Sequence, residues 1–178
     1  MTATKIRSVE RLMNSSSNVY IDYYQSPIGD VEIRATDTNL THVGFVNKQC
    51  ETKTNSITQR AVQQLAEYFT GQRTQFELPL GAVGTQFQTD VWRELSAIEF
   101  GQTRSYADVA IAIGRPKAVR AVGAANGRNP LGIVVPCHRV IGKNGHLTGF
   151  AHGVDKKAWL LQHEKNAPSL ITPQFNNI

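Results

Sequence analysis

The sequence predicts an α+β protein: an N-terminal antiparallel sheet domain with a helix, then a C-terminal helical domain containing a helix-turn-helix. Three observations carry this. Apolar and polar residues alternate with period two between residues 19 and 45, apolar residues recur at helical spacing from residue 57 onward, and capping-box patterns open two segments after residue 84.

Taken in order, "VYIDYY" alternates, "SPIG" is a turn, "DVEIRAT" alternates again, "DTN" turns, and "LTHVGFV" is a third strand, which makes a short antiparallel meander. Ile57, Ala61, Leu65, Tyr68 and Phe69 then fall on one helical face with Gly71 as the stop, and "TQFELPL" reads as a further strand. "GAVG" at 81–84 reads as a linker between a sheet domain at 19–80 and a second domain at 85–166. Residues 1–18 and 167–178 read as flexible ends.

Past the linker the period is helical. Thr85 and Gln88 form a capping-box pattern ahead of a face made by Phe87, Val91, Trp92, Leu95 and Ile98. Ser105 and Asp108 repeat the device and open a helix that runs through Val109, Ile111 and Ile113 to Gly114. "GRP" breaks the chain, and Pro116 suits the first position of a next helix, "KAVRAVGAAN". Two short helices around a glycine-containing turn are a helix-turn-helix pattern. The second has little bulk: Ala118, Ala121, Gly123, Ala124 and Ala125 surround Lys117 and Arg120. Small residues permit close packing inside a core, and equally they let a helix enter a DNA groove with its cations on phosphate.

Charge points the same way. Residues 1–80 carry eight basic and eight acidic residues, and residues 81–178 carry eleven and six, so the whole net charge of +5 lies in the second half. A basic half fits a polyanionic partner, most simply nucleic acid. The two cysteines, Cys50 and Cys137, argue against a disulfide scaffold, and no Cys/His cluster has metal spacing. The N-terminus lacks a secretory apolar segment, and no run approaches the ~18 apolar residues of a membrane helix, so a reducing, cytoplasmic setting is expected.

In "IVVPCHRVIG" (133–142) an apolar strand ending at Pro136 would deliver Cys137 to an edge beside His138 and Arg139. A buried structural thiol is one reading, because free cysteine packs as a small hydrophobe. Neighbouring cations that favour the nucleophilic thiolate give the other. On an extended chain Cys137 and His138 would point to opposite faces, so sequence adjacency alone does not pair them.

"RPKAVRAVGAAN", "RNP", "PCHRVIG", "GHLTGF" and "KKAWLLQHE" together closely resemble the O6-alkylguanine-DNA alkyltransferases of the bacterial stand-alone type, nearly continuously from Phe87 to Glu164. "SPIGDVEIRATDTNLTHVGF" resembles the family's less distinctive N-terminal domain. The resemblance implies a winged-helix-like C-terminal domain and a single irreversible transfer of an alkyl group from O6-alkylguanine in double-stranded DNA to Cys137. O4-alkylthymine is a further substrate class, and no cofactor or metal is implied. It assigns a relay from Cys137 through a water to His138 and Glu164, a hydrogen bond near the thiol to Asn129, and a proton donor for the departing purine to Tyr106.

By the same resemblance Arg120 fills the place of a flipped nucleotide from the minor-groove side, Lys117, Ala118 and Ala121 lie against DNA, and Val140, Phe150 and Ala151 shape the base pocket. Phe150 lacks a hydroxyl, and Ala151 stands where some relatives have serine. His42, His146, His152 and His163 read as surface or structural residues. The protein is expected to act as a monomer, with cooperativity on DNA left open. Two rival readings are a lesion-binding protein of alkyltransferase-like type that lacks catalysis, and a Cys-His hydrolase or acyltransferase. The presence of Cys137 disfavours the first, and the lack of an oxyanion motif disfavours the second.

Overall fold

The computed structural model describes residues 18–167; the ends expected to be flexible lie almost wholly outside them. Strands β1 (Tyr20–Ser26), β2 (Gly29–Ala35) and β3 (Leu40–Phe45) form an antiparallel meander in the order β1-β2-β3. A two-residue turn at Pro27-Ile28 sets the register, pairing Ser26 with Gly29 and Tyr23 with Glu32. β2 is central, and its Val31, Ile33 and Ala35 are fully buried. The alternation seen in the sequence thus points this face into the core.

Helix α1 (Ser56–Phe69) covers the sheet with Ile57, Ala61, Leu65, Tyr68 and Phe69. Its N-cap Asn55 accepts hydrogen bonds from the amides of Ile57 and Thr58, and its side-chain amide donates to the Thr36 carbonyl, which ties the helix start to the sheet. The expected strand "TQFELPL" does not form; only Leu80 pairs, in a single parallel bridge to Leu40. Side chains of α1 occupy the backbone groups that a strand would have used. Gln64 both accepts from the Glu77 amide and donates to the Glu77 carbonyl, and Arg60 donates to that carbonyl too. Pro79 has no N–H to offer.

After an irregular stretch at 81–85, helix α2 (Gln86–Ser96) starts from the Thr85/Gln88 capping box and α3 (Tyr106–Ala112) from the Ser105/Asp108 box, both as read from the sequence. Within the face assigned to α3, Ile111 is an exception: it is 63% exposed while Val109 is buried. Helix α4 (Val119–Gly127) begins three residues later than Pro116 would have placed it. Pro116 and Lys117 form a turn instead, closed by the Ala118 amide on the Arg115 carbonyl, and no side chain caps the helix. Val122, Ala125 and Asn126 of α4 face inward, the Trp92 indole donates to the Ala125 carbonyl, and Arg120, Ala121 and Ala124 face outward.

The expected strand before Cys137 is also replaced. Leu131 makes one parallel bridge to Val43, and the chain then coils through two tight turns closed by Val134 N–H on the Gly132 carbonyl and Cys137 N–H on the Val135 carbonyl. Such two-residue spans are γ-turns. Ile133, at the centre of the first, has φ of 70°, the only positive value outside glycine among the described residues. A branched residue there is strained by roughly 1–3 kcal/mol. Pro136, at the centre of the second, has φ −80° and ψ 65°, the relaxed inverse form. Cys137–Arg139 then make one 3₁₀ turn, β5 (Val140–Ile141) pairs in parallel with β4 (Arg104–Ser105), and α5 (Val154–Asn166) closes the fold. No helix among the described residues is long and apolar enough to cross a membrane.

Asn55→Ala removes the cap of α1 and its tie to β2. It is expected to cost about 1–2 kcal/mol, read as a lower urea midpoint with an unchanged slope.

Candidate active site

Cys137, His138 and Arg139 share the 3₁₀ turn, and all three are buried. The turn, rather than an extended strand, removes the opposite-faces problem posed by adjacency. His138 Nε2 lies 2.7 Å from Glu164 Oε1, and Arg139 binds both carboxylate oxygens, Nε to Oε2 at 2.9 Å and Nη2 to Oε1 at 3.0 Å. Arg139 also donates to the Ile98 carbonyl, and the Gly101 amide donates to Glu164 Oε2 at 3.0 Å. Glu164 accepts a further bond from the Tyr68 hydroxyl, at 2.7 Å from Oε1.

Burial alone would push the Glu164 carboxyl up. Hydrogen bonds and charge from His138 and Arg139 outweigh it and hold the group well below the usual carboxylate range. Burial pushes His138 down, with Glu164 pulling the other way and Arg139 opposing protonation. The two directions fit one state, in which Arg139 supplies the counter-charge of the carboxylate and the imidazole rests neutral. A neutral His138 that donates Nε2–H to Glu164 leaves Nδ1 with the basic lone pair. That atom is buried and has no hydrogen-bond partner in the structure.

The flanking cations do not hold Cys137 as a thiolate. Burial pushes its thiol up, while the Asn129 side chain and the Lys157 ammonium pull it partly back. Arg139 spends its charge on Glu164 instead. Asn129 spans the loop before the cysteine, donating to the Val135 carbonyl at 2.8 Å and accepting from the Leu131 amide at 3.0 Å. Asn126 donates to the Cys137 carbonyl at 3.3 Å and stays otherwise unpartnered at Oδ1.

Lys157 was not singled out in the sequence, and it is fully buried. Its Nζ donates to the Val140 carbonyl at 2.6 Å, to the Thr148 carbonyl at 3.0 Å and, more weakly, to the Tyr106 hydroxyl at 3.4 Å. Burial pushes the ammonium down and a Cys137 thiolate would draw it back up. The Lys157 charge therefore answers the state in which the sulfur is ionised. A signal for it was present: Lys157 shares a helical stripe with the buried Leu160 and Glu164.

A cleft of about 560 Å³ opens between α4 and the loop before α5, lined by Tyr106, Val119, Arg120, Gly123, Phe150 and Ala151 among others. Its wall brings together predicted groups from three separate segments. Val140 is not in that wall; it is fully buried and offers its carbonyl to Lys157. The Tyr106 hydroxyl donates to the Thr148 carbonyl at 3.0 Å, and burial keeps the phenol protonated. Lys117 and Ala118 border a separate hollow with Arg115 and Pro116 at the foot of α4, and Ala121 is exposed on its outer face. A larger hollow of about 680 Å³ lies behind Pro136 and Arg139 and is lined by no residue of α4; Cys137 is among the lining residues of neither this hollow nor the cleft. No cluster of three or more metal-ligating side chains occurs among the described residues.

Residues 86–166 match the family model described as 6-O-methylguanine DNA methyltransferase, DNA binding domain, and residues 19–82 match its ribonuclease-like domain. The chain is 43% identical over 155 residues to the methylated-DNA--protein-cysteine methyltransferase of Methanosarcina barkeri, covering 83% of this chain and 98% of that one. It is 45% identical over 160 residues to the constitutive methyltransferase of that name from Bacillus subtilis, covering 82% and 96%. The crystal structure of the Mycobacterium tuberculosis O6-methylguanine methyltransferase superposes with a TM-score of 0.79 at 41% identity, over 86% of this chain and 96% of that one. The same organism's protein in complex with DNA gives 0.76 at 43% identity, over 83% and 94%. The buried Cys137–Arg139 turn, its Glu164 partner and the thin helix beside it therefore sit in a fold and a sequence shared along most of the chain, and the chain belongs to the 6-O-methylguanine DNA methyltransferase family.

Proposed function

We propose that this protein repairs DNA by moving an alkyl group from O6 of guanine in a duplex onto Sγ of Cys137, once per molecule and without a cofactor. O4-alkylthymine is the second substrate class in this reading. The observation that carries it is the single turn that sets a thiol next to a neutral, carboxylate-held imidazole, tied through Asn126 to the α4 helix that walls the cleft.

In the reaction Sγ attacks the alkyl carbon, the S–C bond forms as the C–O6 bond breaks, and the electron pair leaves with the purine. The thiol proton passes through a water to His138 Nδ1, the basic atom left open by the Nε2 bond to Glu164. The resulting imidazolium is stabilised by the Glu164 carboxylate, the division of labour expected when a base activates a nucleophile. Lys157 stabilises the developing thiolate and orients Tyr106, whose hydroxyl turns from the Thr148 carbonyl to donate to the departing purine. Phe150 and Ala151 wall the base pocket, and Asn129 and Val140 hold the loops on either side of the thiol.

Access requires the nucleotide to rotate out of the stack. The outer face of α4, with Arg120, Ala121 and Ala124 exposed and Lys117 and Ala118 at its foot, is thin enough to enter the minor groove. Arg120 is exposed on that face and also lines the cleft, which supports a role for it in filling the gap that an extruded base leaves in the stack. The protein acts as a monomer on DNA in the cytoplasm in this reading, associated with the nucleoid when bound.

Mass spectrometry after incubation with an O6-methylguanine duplex should show one added methyl group per protein, on the peptide containing Cys137. Modification of Cys50, or repair beyond one lesion per molecule, refutes the proposal. Glu164→Gln should slow transfer by about 10- to 10⁴-fold, the span of acid–base assistance, while binding to undamaged duplex stays unchanged. The same variant removes the counter-charge of buried Arg139 and is expected to lose on the order of 3–5 kcal/mol of stability, so rates are compared at a temperature where both proteins are folded. Arg120→Ala should lose most transfer on a stacked duplex, less in a mismatch bubble and none on the free base, because extrusion costs a few kcal/mol and least for an unpaired base.

A further inference from the structure

The Glu164 carboxylate receives five hydrogen bonds, and four come from residues 101–139 of its own half of the molecule. The fifth crosses from the other half. Tyr68, in the last turn of α1, donates to Oε1 at 2.7 Å across 96 residues of sequence. Oε1 is the oxygen that also holds His138 Nε2.

Tyr68 is fixed far more firmly than its core-face position in α1 requires. It is fully buried, its ring meets Phe69, Phe76, Phe100 and His163 at centroid distances of 5.3, 5.6, 6.0 and 5.3 Å, and its backbone carbonyl takes a 2.8 Å bond with His163 Nε2. His163 is itself stacked on Trp159, so α5 grips Tyr68 at the carbonyl and at the hydroxyl. Burial and the neighbouring carboxylate both hold the phenol protonated, so it remains a donor wherever the protein works.

We infer that Tyr68 is a positioning residue of the transfer reaction, through which the N-terminal sheet domain sets the basicity of the His138 relay; this rests on the alkyl-transfer reading above. A carboxylate oxygen that accepts from a phenol pulls less strongly on the imidazole N–H that shares it. The imidazolium is then less favoured at rest, and Nδ1 stays free to take a proton at lower pH. The other charged and titratable groups around the pair are Arg139 on both carboxylate oxygens, Lys157, whose charge opposes protonation of His138, Cys137 on the same turn, and His163 against the Tyr68 ring. None of the other donors to Oε1 comes from the N-terminal half.

The sign follows. Without the hydroxyl, Glu164 attracts the His138 proton more strongly, the folded-state value of the imidazole rises, and the acid limb of the rate profile moves to higher pH. The test uses the full chain with an O6-methylguanine duplex, measuring single-turnover transfer against pH, thermal melting and duplex binding. Tyr68→Phe should shift the acid limb upward by roughly half a unit or more, which slows transfer on that limb by about 3-fold or more and leaves the plateau above it in place. Duplex binding should stay as in the parent.

Phe76→Leu disturbs the same aromatic cluster without touching the carboxylate, and should lower the melting temperature while leaving the limb in place. 3-Fluorotyrosine at position 68 keeps the shape of the ring and strengthens the donor, so it should move the limb downward even if the phenylalanine variant does not fold. An unmoved limb in both Tyr68 variants, with rates that track only the folded fraction, makes Tyr68 structural and overturns the inference. If the parent itself leaves Cys137 unalkylated, the functional reading fails and takes this inference with it. Parent transfer with an unchanged Tyr68→Phe profile overturns this inference alone.

Discussion

One buried carboxylate organises the centre of this molecule. Glu164 draws together α5, the cysteine turn, the loop at Gly101 and the last turn of α1, four segments with no sequence proximity. An ionised group taken out of water costs several kcal/mol unless every lone pair is used. Here five donors use them, and the guanidinium of Arg139 matches both oxygens at once. Because Arg139 balances the charge, His138 is left neutral and available. A single ion pair between His138 and Glu164 would have fixed the imidazole as a cation, with nothing left to accept a proton.

A second constraint comes from the edge of the sheet. β3 would present an unpaired row of backbone groups, and two passages of chain cover it: Leu80 bridges Leu40, and Leu131 bridges Val43. Val43 donates to the Pro130 carbonyl and its own carbonyl accepts from the Gly132 amide, which anchors the loop just ahead of the strained Ile133. A Cβ on Gly132 would come within 3.1 Å of the Val43 carbonyl, so the glycine is what lets the loop approach. Protection of an edge strand and placement of the thiol are thus the same set of contacts.

Much of this was legible in the sequence because local physics dictated it. The alternation of residues 20–35 and the paired caps at Thr85/Gln88 and Ser105/Asp108 are short-range signals, and they form as read. The misreadings share a cause: "TQFELPL" and "IVVP" have strand composition, but other partners took their backbone groups, Gln64 and Arg60 in the first case and the loop's own tight turns with the Asn129 side chain in the second. The late start of α4 follows from turn geometry at Arg115–Ala118 that residue preference does not report. The motif around Cys137 named its neighbours on the chain but not its neighbours in space. Lys157 and Tyr68 looked like one exposed-type cation in a helix and one core aromatic, and their polar atoms gained meaning only once distant carbonyls and Glu164 stood beside them.

The state in which Cys137 rests has a further consequence. Oxidants and disulfides attack thiolates, and susceptibility follows ionisation and exposure. Cys137 is covered and its sulfur is kept protonated, whereas Cys50 lies open on the surface. A nucleophile that can be used once has to survive until its substrate arrives. A permanently ionised thiol would be faster at the moment of encounter but would be lost to peroxide in the interval, so the neutral imidazole beside a protonated sulfur trades peak reactivity for shelf life.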